Sequence, residues 1–172
     1  MALAVNKVTS ANIYYDGGSL LGKAESFTLT ELPFVMSEHK ALGALGTTQS
    51  FSAIDKIEAE MVLTSHYSDL IKKLADPTSS KQMQVRGNLQ TLESTGLTAE
   101  VPLVFFLTAT PMNLPIGDFK AQENATLTVK FAVTAVRCEI DGAMQFDIDL
   151  LSNKFLVDGV DILAKRNAKL GV

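Results

Sequence analysis

Apolar residues recur at every second position along most of this chain, the period of a strand with one buried face. In 126–139, TLTVKFAVTAVRCE, the residues Leu127, Val129, Phe131, Val133 and Ala135 fall on one face, with Thr126, Thr128, Lys130, Ala132 and Thr134 on the other. Asp141-Gly142 follows, and alternation resumes with Met144, Phe146, Ile148 and Leu150 opposite Gln145, Asp147 and Asp149. A type I′ turn needs positive φ at both central residues, so Asp-Gly between two alternating runs predicts a hairpin turn at Asp141 and Gly142. The same reasoning predicts strands over 12–16, closed by Asp16-Gly17-Gly18, and over 24–29. In 56–64, Ile57, Ala59, Met61 and Leu63 oppose Lys56, Glu58 and Glu60; in 83–92, Gln84, Arg86, Asn88 and Gln90 form a polar face. After Ser94-Thr95-Gly96, the run EVPLVFFLTAT is almost continuously apolar, as in a strand covered on both sides, and Pro102 marks a strand start or an edge.

Helical periodicity is sparse. Ser65 is a candidate cap for a helix over 66–75, with Tyr67, Leu70, Ile71 and Leu74 on one face and Asp76-Pro77 as its stop. A short helix is expected near 160–168. Residues 33–55 show no sustained period and read as a long loop, a kind of segment that is usually functional or disordered. The loop carries Phe34, Val35, Met36, Leu42, Leu45 and Phe51, which are costly to leave in water, and Gly43 and Gly46, which permit sharp bends. Apolar content without a periodic home points to burial against another chain.

Composition removes several function classes. A length of 172 residues predicts one domain, 1–172, with the 33–55 loop inserted in it. One Cys forbids an internal disulfide, and with two isolated His it argues against a structural zinc site. The net charge of −4 argues against binding nucleic acid through phosphate neutralisation. No apolar run reaches membrane-spanning length, and the first residues lack a signal-peptide pattern, so no membrane anchor is expected.

No motif completes a chemistry. Asp147 and Asp149 share a strand face and could in principle hold a hard cation, although a solvated or interface face is the commoner use. Asp158-Gly159-Val160-Asp161 lacks calcium-loop spacing and reads as a tight turn before a helix. His39 and His66 have no nearby Asp or Ser partner, Cys138 reads as structural, and Asn124-Ala125-Thr126 fits a glycosylation sequon without a secretion signal. No nucleophile, base or metal set argues for an enzyme, and no cofactor is expected.

The order of these pieces carries more than any one of them. Near the N-terminus stand Asn12-Ile13-Tyr14-Tyr15-Asp16-Gly17, Gly22, Phe27-Thr28-Leu29 and Leu32; the Gly-bearing loop, the 56–64 strand and the short helix follow. Near the C-terminus come Glu139-Ile140-Asp141-Gly142, Asp147-Ile148-Asp149, Asn153-Lys154, Val157-Asp158-Gly159-Val160-Asp161 and the ending Arg166-Asn167-Ala168-Lys169-Leu170-Gly171-Val172. In order, spacing and length the chain resembles the major tail tube proteins of contractile-tailed phages, shared with R-type pyocins. It departs where the family commonly has T-L-P-K-L: here Thr28-Leu29-Thr30-Glu31-Leu32 precedes a displaced Pro33.

The resemblance implies a mainly β subunit, an antiparallel β-sandwich or partial barrel with one flanking α-helix, forming hexameric rings that stack into the inner tube of a contractile tail. It implies a conduit for genome delivery, or for membrane puncture in a bacteriocin. The expected partners are copies of itself, the tail sheath protein, the tape measure protein, the baseplate tube initiator, and DNA in transit without sequence-specific binding. The expected location is a virion tail or phage-tail-like particle assembled in the bacterial host cytoplasm. The 33–55 segment, with Phe34, Met36, Leu42, Gly43, Leu45, Gly46 and Phe51, would reach a neighbouring subunit or the next ring. Lys56, Glu58, Glu60, Gln84, Arg86, Asn88 and Lys130 would face the lumen, three cations against two anions. Two alternatives remain. One is a type VI secretion tube ring protein passing effector proteins. The other is a β-sandwich carbohydrate-binding module, which the lack of Trp and the presence of only three Tyr disfavour.

Overall fold

The alternating runs become the strands of one curled antiparallel sheet. A computed structural model of the chain describes residues 4–43, 45–117 and 125–171. In chain order the elements are β1 (Val5–Tyr15), β2 (Gly18–Ser19), β3 (Ala24–Leu29), β4 (Phe34–His39), β5 (Thr48–Ile54), β6 (Ile57–Leu63), α1 (Ser68–Leu74), β7 (Lys81–Glu93) and β8 (Gly96–Pro111). Then come β9 (Leu127–Ile140), β10 (Ala143–Asp149), β11 (Lys154–Val157), β12 (Val160–Asp161) and α2 (Ala164–Leu170). The large sheet runs β12-β11-β10-β9-β8-β7-β1-β2, and β6 branches from β9 to carry β3. This is the expected mainly β, antiparallel class, built of open sheets, with α1 as the flanking helix. Asn124 of the sequon lies outside the described residues.

Three Asp-Gly pairs make three tight hairpins of the same kind. Asp16 and Gly17 have φ of 48° and 77°, Asp141 and Gly142 51° and 74°, and Asp158 and Gly159 48° and 79°. Each joins strands whose flanking residues pair directly: Tyr15 with Gly18, Ile140 with Ala143, Val157 with Val160. That is type I′ geometry, whose twist matches the strands it joins. The Asp158-Gly159 turn therefore closes β11 onto β12, and α2 begins only at Ala164, later than the sequence suggested.

One strand face is corrected by a bulge. Leu127, Val129, Phe131 and Val133 are buried as expected, but Ala135 is not on that face; Val136 and Cys138 are buried instead. Register against β8 slips between Thr108 and Ala109, where Ala135 and Val133 are the partners, so Thr134 is the extra residue. At this bend the edge of β9 passes from β6, paired through Val133, to β10, paired from Ala135. Pro102 lies inside β8, yet its carbonyl accepts the Asp141 N–H just beyond the end of β9 at 2.9 Å. Its missing N–H points to the same side, where no strand needs a donor.

Side chains of β6, β7, β8 and β9 form the centre of the core, with Met61, Leu63, Met83, Ala109, Val129 and Phe131 fully excluded from water. α1 closes one end through Leu70 and Leu74. Its N-cap is Tyr67 with no side-chain cap bond, so Ser65 does not cap it. Anchoring comes from elsewhere: Lys73 Nζ lies 2.9 Å from Asp16 Oδ2, and a His66 ring nitrogen lies 3.0 Å from the Ile116 carbonyl oxygen. β8 is not covered on both sides within the subunit; only Leu107, Ala109 and Pro111 along it are buried.

Candidate functional site

The register gathers the polar residues of the alternating strands on one face of the sheet, opposite the core. Directly opposed residues of an antiparallel pair project to the same side. One row runs Tyr14–Gln84–Phe106–Arg137–Asp147–Leu156 across β1, β7, β8, β9, β10 and β11. Beside it lie Asn12–Arg86–Val104–Glu139–Met144 and Ser10–Asn88–Pro102. On the branch, Glu60 opposes Lys130, and Glu58 opposes Ala132, which opposes Thr110. Lys56 precedes β6 and joins the same face through Glu58, Nζ to Oε1 2.8 Å. Thus Lys56, Glu58, Glu60, Gln84, Arg86, Asn88 and Lys130 share one surface. The sequence reading did not include Arg137, Glu139, Asp147 and Lys154: the β9 bulge reverses the phase before Arg137 and Glu139, and Asp147 and Lys154 reach this face only through the pairing of β10 and β11.

Several charges on this face are held by neighbours. Arg137 pairs with Glu139 and stacks over Phe106, Cζ 5.5 Å from the ring centroid. Arg86 lies over Tyr14 at 5.7 Å and donates from Nε and Nη2 to Gln84 Oε1 at 3.4 and 3.3 Å. Lys154 Nζ is 2.5 Å from Asp147 Oδ2, and Asp149 Oδ1 accepts the Leu151 and Ser152 N–H groups. These bonds use the carboxylates that a cation site at Asp147 and Asp149 would need. Among the described residues no group of three or more His, Cys, Asp or Glu could hold a metal. Such partly exposed pairs contribute only about 0–1 kcal/mol each, so their main effect is on local charge. Cys138 is buried, and burial raises its thiol pKa with help from Glu139, which suits a structural residue.

The 33–55 segment is a β-hairpin and not the irregular loop its sequence suggested. β4 and β5 pair as a separate two-stranded sheet, Phe34 with Ile54 and Met36 with Phe51. A bulge between Val35 and Met36 leaves Ser52 as the extra residue, so Phe51 and Ile54 share a face although three apart. The base is fixed: Phe34 stacks on Phe155 at 6.2 Å, Phe51 meets Phe155 edge-on at 6.4 Å, and Arg166 Nη1 donates to the Ser52 carbonyl at 3.1 Å. The tip projects, with Leu42 and Leu45 fully exposed around Gly43, whose φ is 84°, and Gly46.

Strand edges are also open. Among the described residues, Val5–Asn12 of β1 has β7 on one edge and no partner on the other, and β3 pairs only with β6. Between them opens an apolar hollow of about 340 Å³ lined by Val8, Phe27, Leu29, Val85, Leu103 and Phe105. Unpaired edges and exposed leucines are unfavourable in an isolated subunit and are relieved by association.

These features agree with the comparisons. The family model described as Phage tail tube protein FII matches residues 5–171. No curated protein matches the sequence. Among solved structures, a chain of the PVC extracellular contractile injection system, in its sheath–tube complex in the extended state, aligns with TM-score 0.58 at 10% identity, over 75% of this chain and 87% of that one. A chain from the sheath/tube terminator of the same PVC system, also extended, aligns with TM-score 0.61 at 10% identity, over 77% of this chain and 95% of that one. At this identity the likeness is one of fold. The match over residues 5–171 settles the family: this chain belongs to the phage tail tube protein FII family, and it is a structural tail tube protein, not an enzyme.

Proposed function

We propose that the whole of 1–172 acts as one tail-tube domain whose copies form hexameric rings stacked into the inner tube of a contractile tail, with the polar face turned to the lumen. The observation that carries this reading is one sheet face that gathers Gln84, Arg86, Asn88, Arg137, Glu139 and Asp147 across the strands, beside sheet edges that have no partner among the described residues. Edge-to-edge joining of β1 and β3 between subunits closes a barrel and removes both edges. The projecting β4–β5 hairpin then reaches the neighbouring subunit or the next ring, with Leu42 and Leu45 buried there.

The tube sits inside a sheath, as in the PVC complex to which the fold is similar. Tape measure and baseplate initiator proteins meet the tube from within and below, and assembly takes place in the host cytoplasm. DNA in transit meets a wall of nearly balanced charge. Each phosphate held by Lys or Arg would add counterion-release affinity and oppose movement.

Sedimentation and negative-stain imaging of the purified protein test assembly. Rings or tubes that grow with protein concentration are expected. A strict monomer at high concentration, unchanged by a tube initiator, overturns the reading.

A further inference from the structure

We propose that Glu58, Glu139 and Asp147 are masking residues: they hold three cations of the polar face, Lys56, Arg137 and Lys154, and so lower the capture of a polyanion by the wall. The inference rests on this face lining the conduit.

Three independent pairs have the same design. Lys56 is held by Glu58, Arg137 by Glu139 and Lys154 by Asp147. In each pair the carboxylate is the less exposed partner: Glu139 and Asp147 side chains are 16% exposed, against 47% for Arg137 and 40% for Lys154. Each exposed cation is thus paired with a better-shielded anion, so a charge approaching from solvent meets a neutralised group. Among the described residues Arg86 has no carboxylate partner; its guanidinium is occupied by the Tyr14 ring and the Gln84 amide oxygen.

Repetition gives these weak pairs their importance. A contact too weak to hold DNA at one subunit becomes a strong brake when the same contact recurs ring after ring. Freeing three cations would give binding a log–log salt slope of about −2.7, a loss of about 40-fold in affinity between 50 and 200 mM salt.

The test uses the purified full chain on immobilised double-stranded DNA. The wild type should pass through at 50 mM salt. A triple variant, Glu58→Gln, Glu139→Gln and Asp147→Asn, should be retained and elute as salt rises. A control triple, Glu25→Gln, Asp69→Asn and Glu93→Gln, makes the same change in net charge at exposed sites and should pass through. Adding Arg137→Gln to the first triple should weaken its retention. Equal retention of both triples would show that net charge alone acts, and no retention of the first would overturn masking. Glu58→Gln alone, at a more exposed carboxylate, should show a smaller retention and keeps the test available if the triple does not fold. In assembled tubes, DNA captured by the first triple should resist nuclease. Captured DNA that is digested would overturn the lumen placement while leaving masking supported.

Discussion

Burial pushes the Tyr15 phenol up to about 12, and the charges of Asp16 and Asp76 add to the shift. Its ring packs on Phe131 at 5.8 Å, and its hydroxyl is buried with no hydrogen-bond partner among the described residues. An unfolded Tyr titrates near 10. Between about pH 10 and 12 the unfolded chain releases this proton while the folded one retains it, so its contribution to stability is complete below pH 10 and is lost as pH rises towards 12. Tyr15→Phe should therefore flatten the alkaline fall in Tm. At pH 7 it should keep Tm or raise it, by up to about 1 kcal/mol of stability, since no bond is lost. A drop of several degrees at pH 7 would show that the hydroxyl is bonded. Gly142 tests the backbone in isolation. A Cβ there meets nothing within 4 Å, so Gly142→Val acts through its φ of 74° alone and should cost about 1–2 kcal/mol. An unchanged thermal melt would contradict the turn geometry.

The β4–β5 hairpin combines a fixed base with a projecting tip, and the two ends should respond differently to mutation. Phe155, 7% exposed, holds Phe34 and Phe51, so Phe155→Ala should destabilise the subunit by about 3–5 kcal/mol. Replacing 38–50 by a short Gly-Ser linker leaves those rings in place. The variant should keep its near-native melt and fail to build tubes. An unfolded variant would show that the tip supports its own subunit, and normal tubes would remove the hairpin from assembly. This element also shows where sequence periodicity stops being informative. One extra residue, Ser52, puts Phe51 and Ile54 on one face and erases the period-two signal. Thr134 does the same in β9, moving the core position from Ala135 to Val136. Strands without bulges in their paired segments, such as β6, were readable residue by residue from alternation alone.

The Asp-Gly turns and alternating faces identify the strands, but they do not say which edges meet. The branch of β6 and β3 from β9 depends on contacts between residues far apart in sequence, such as Ile57 with Val133, for which one sequence carries no local signal. The polar face was therefore legible strand by strand, as Gln84, Arg86 and Asn88 or Glu58 and Glu60, while its extension through Arg137 and Asp147 needed the fold. Assembly places the strictest demand on this surface, because the same face must be inward in every copy. A helical reconstruction of tubes grown from the purified protein reads that orientation for all subunits at once. It should show Gln84, Arg86, Lys130 and Arg137 lining the lumen, with β1 and β3 edges paired between neighbours. Tubes with those side chains on the outer surface, or with β1 and β3 left unpaired, would contradict the account.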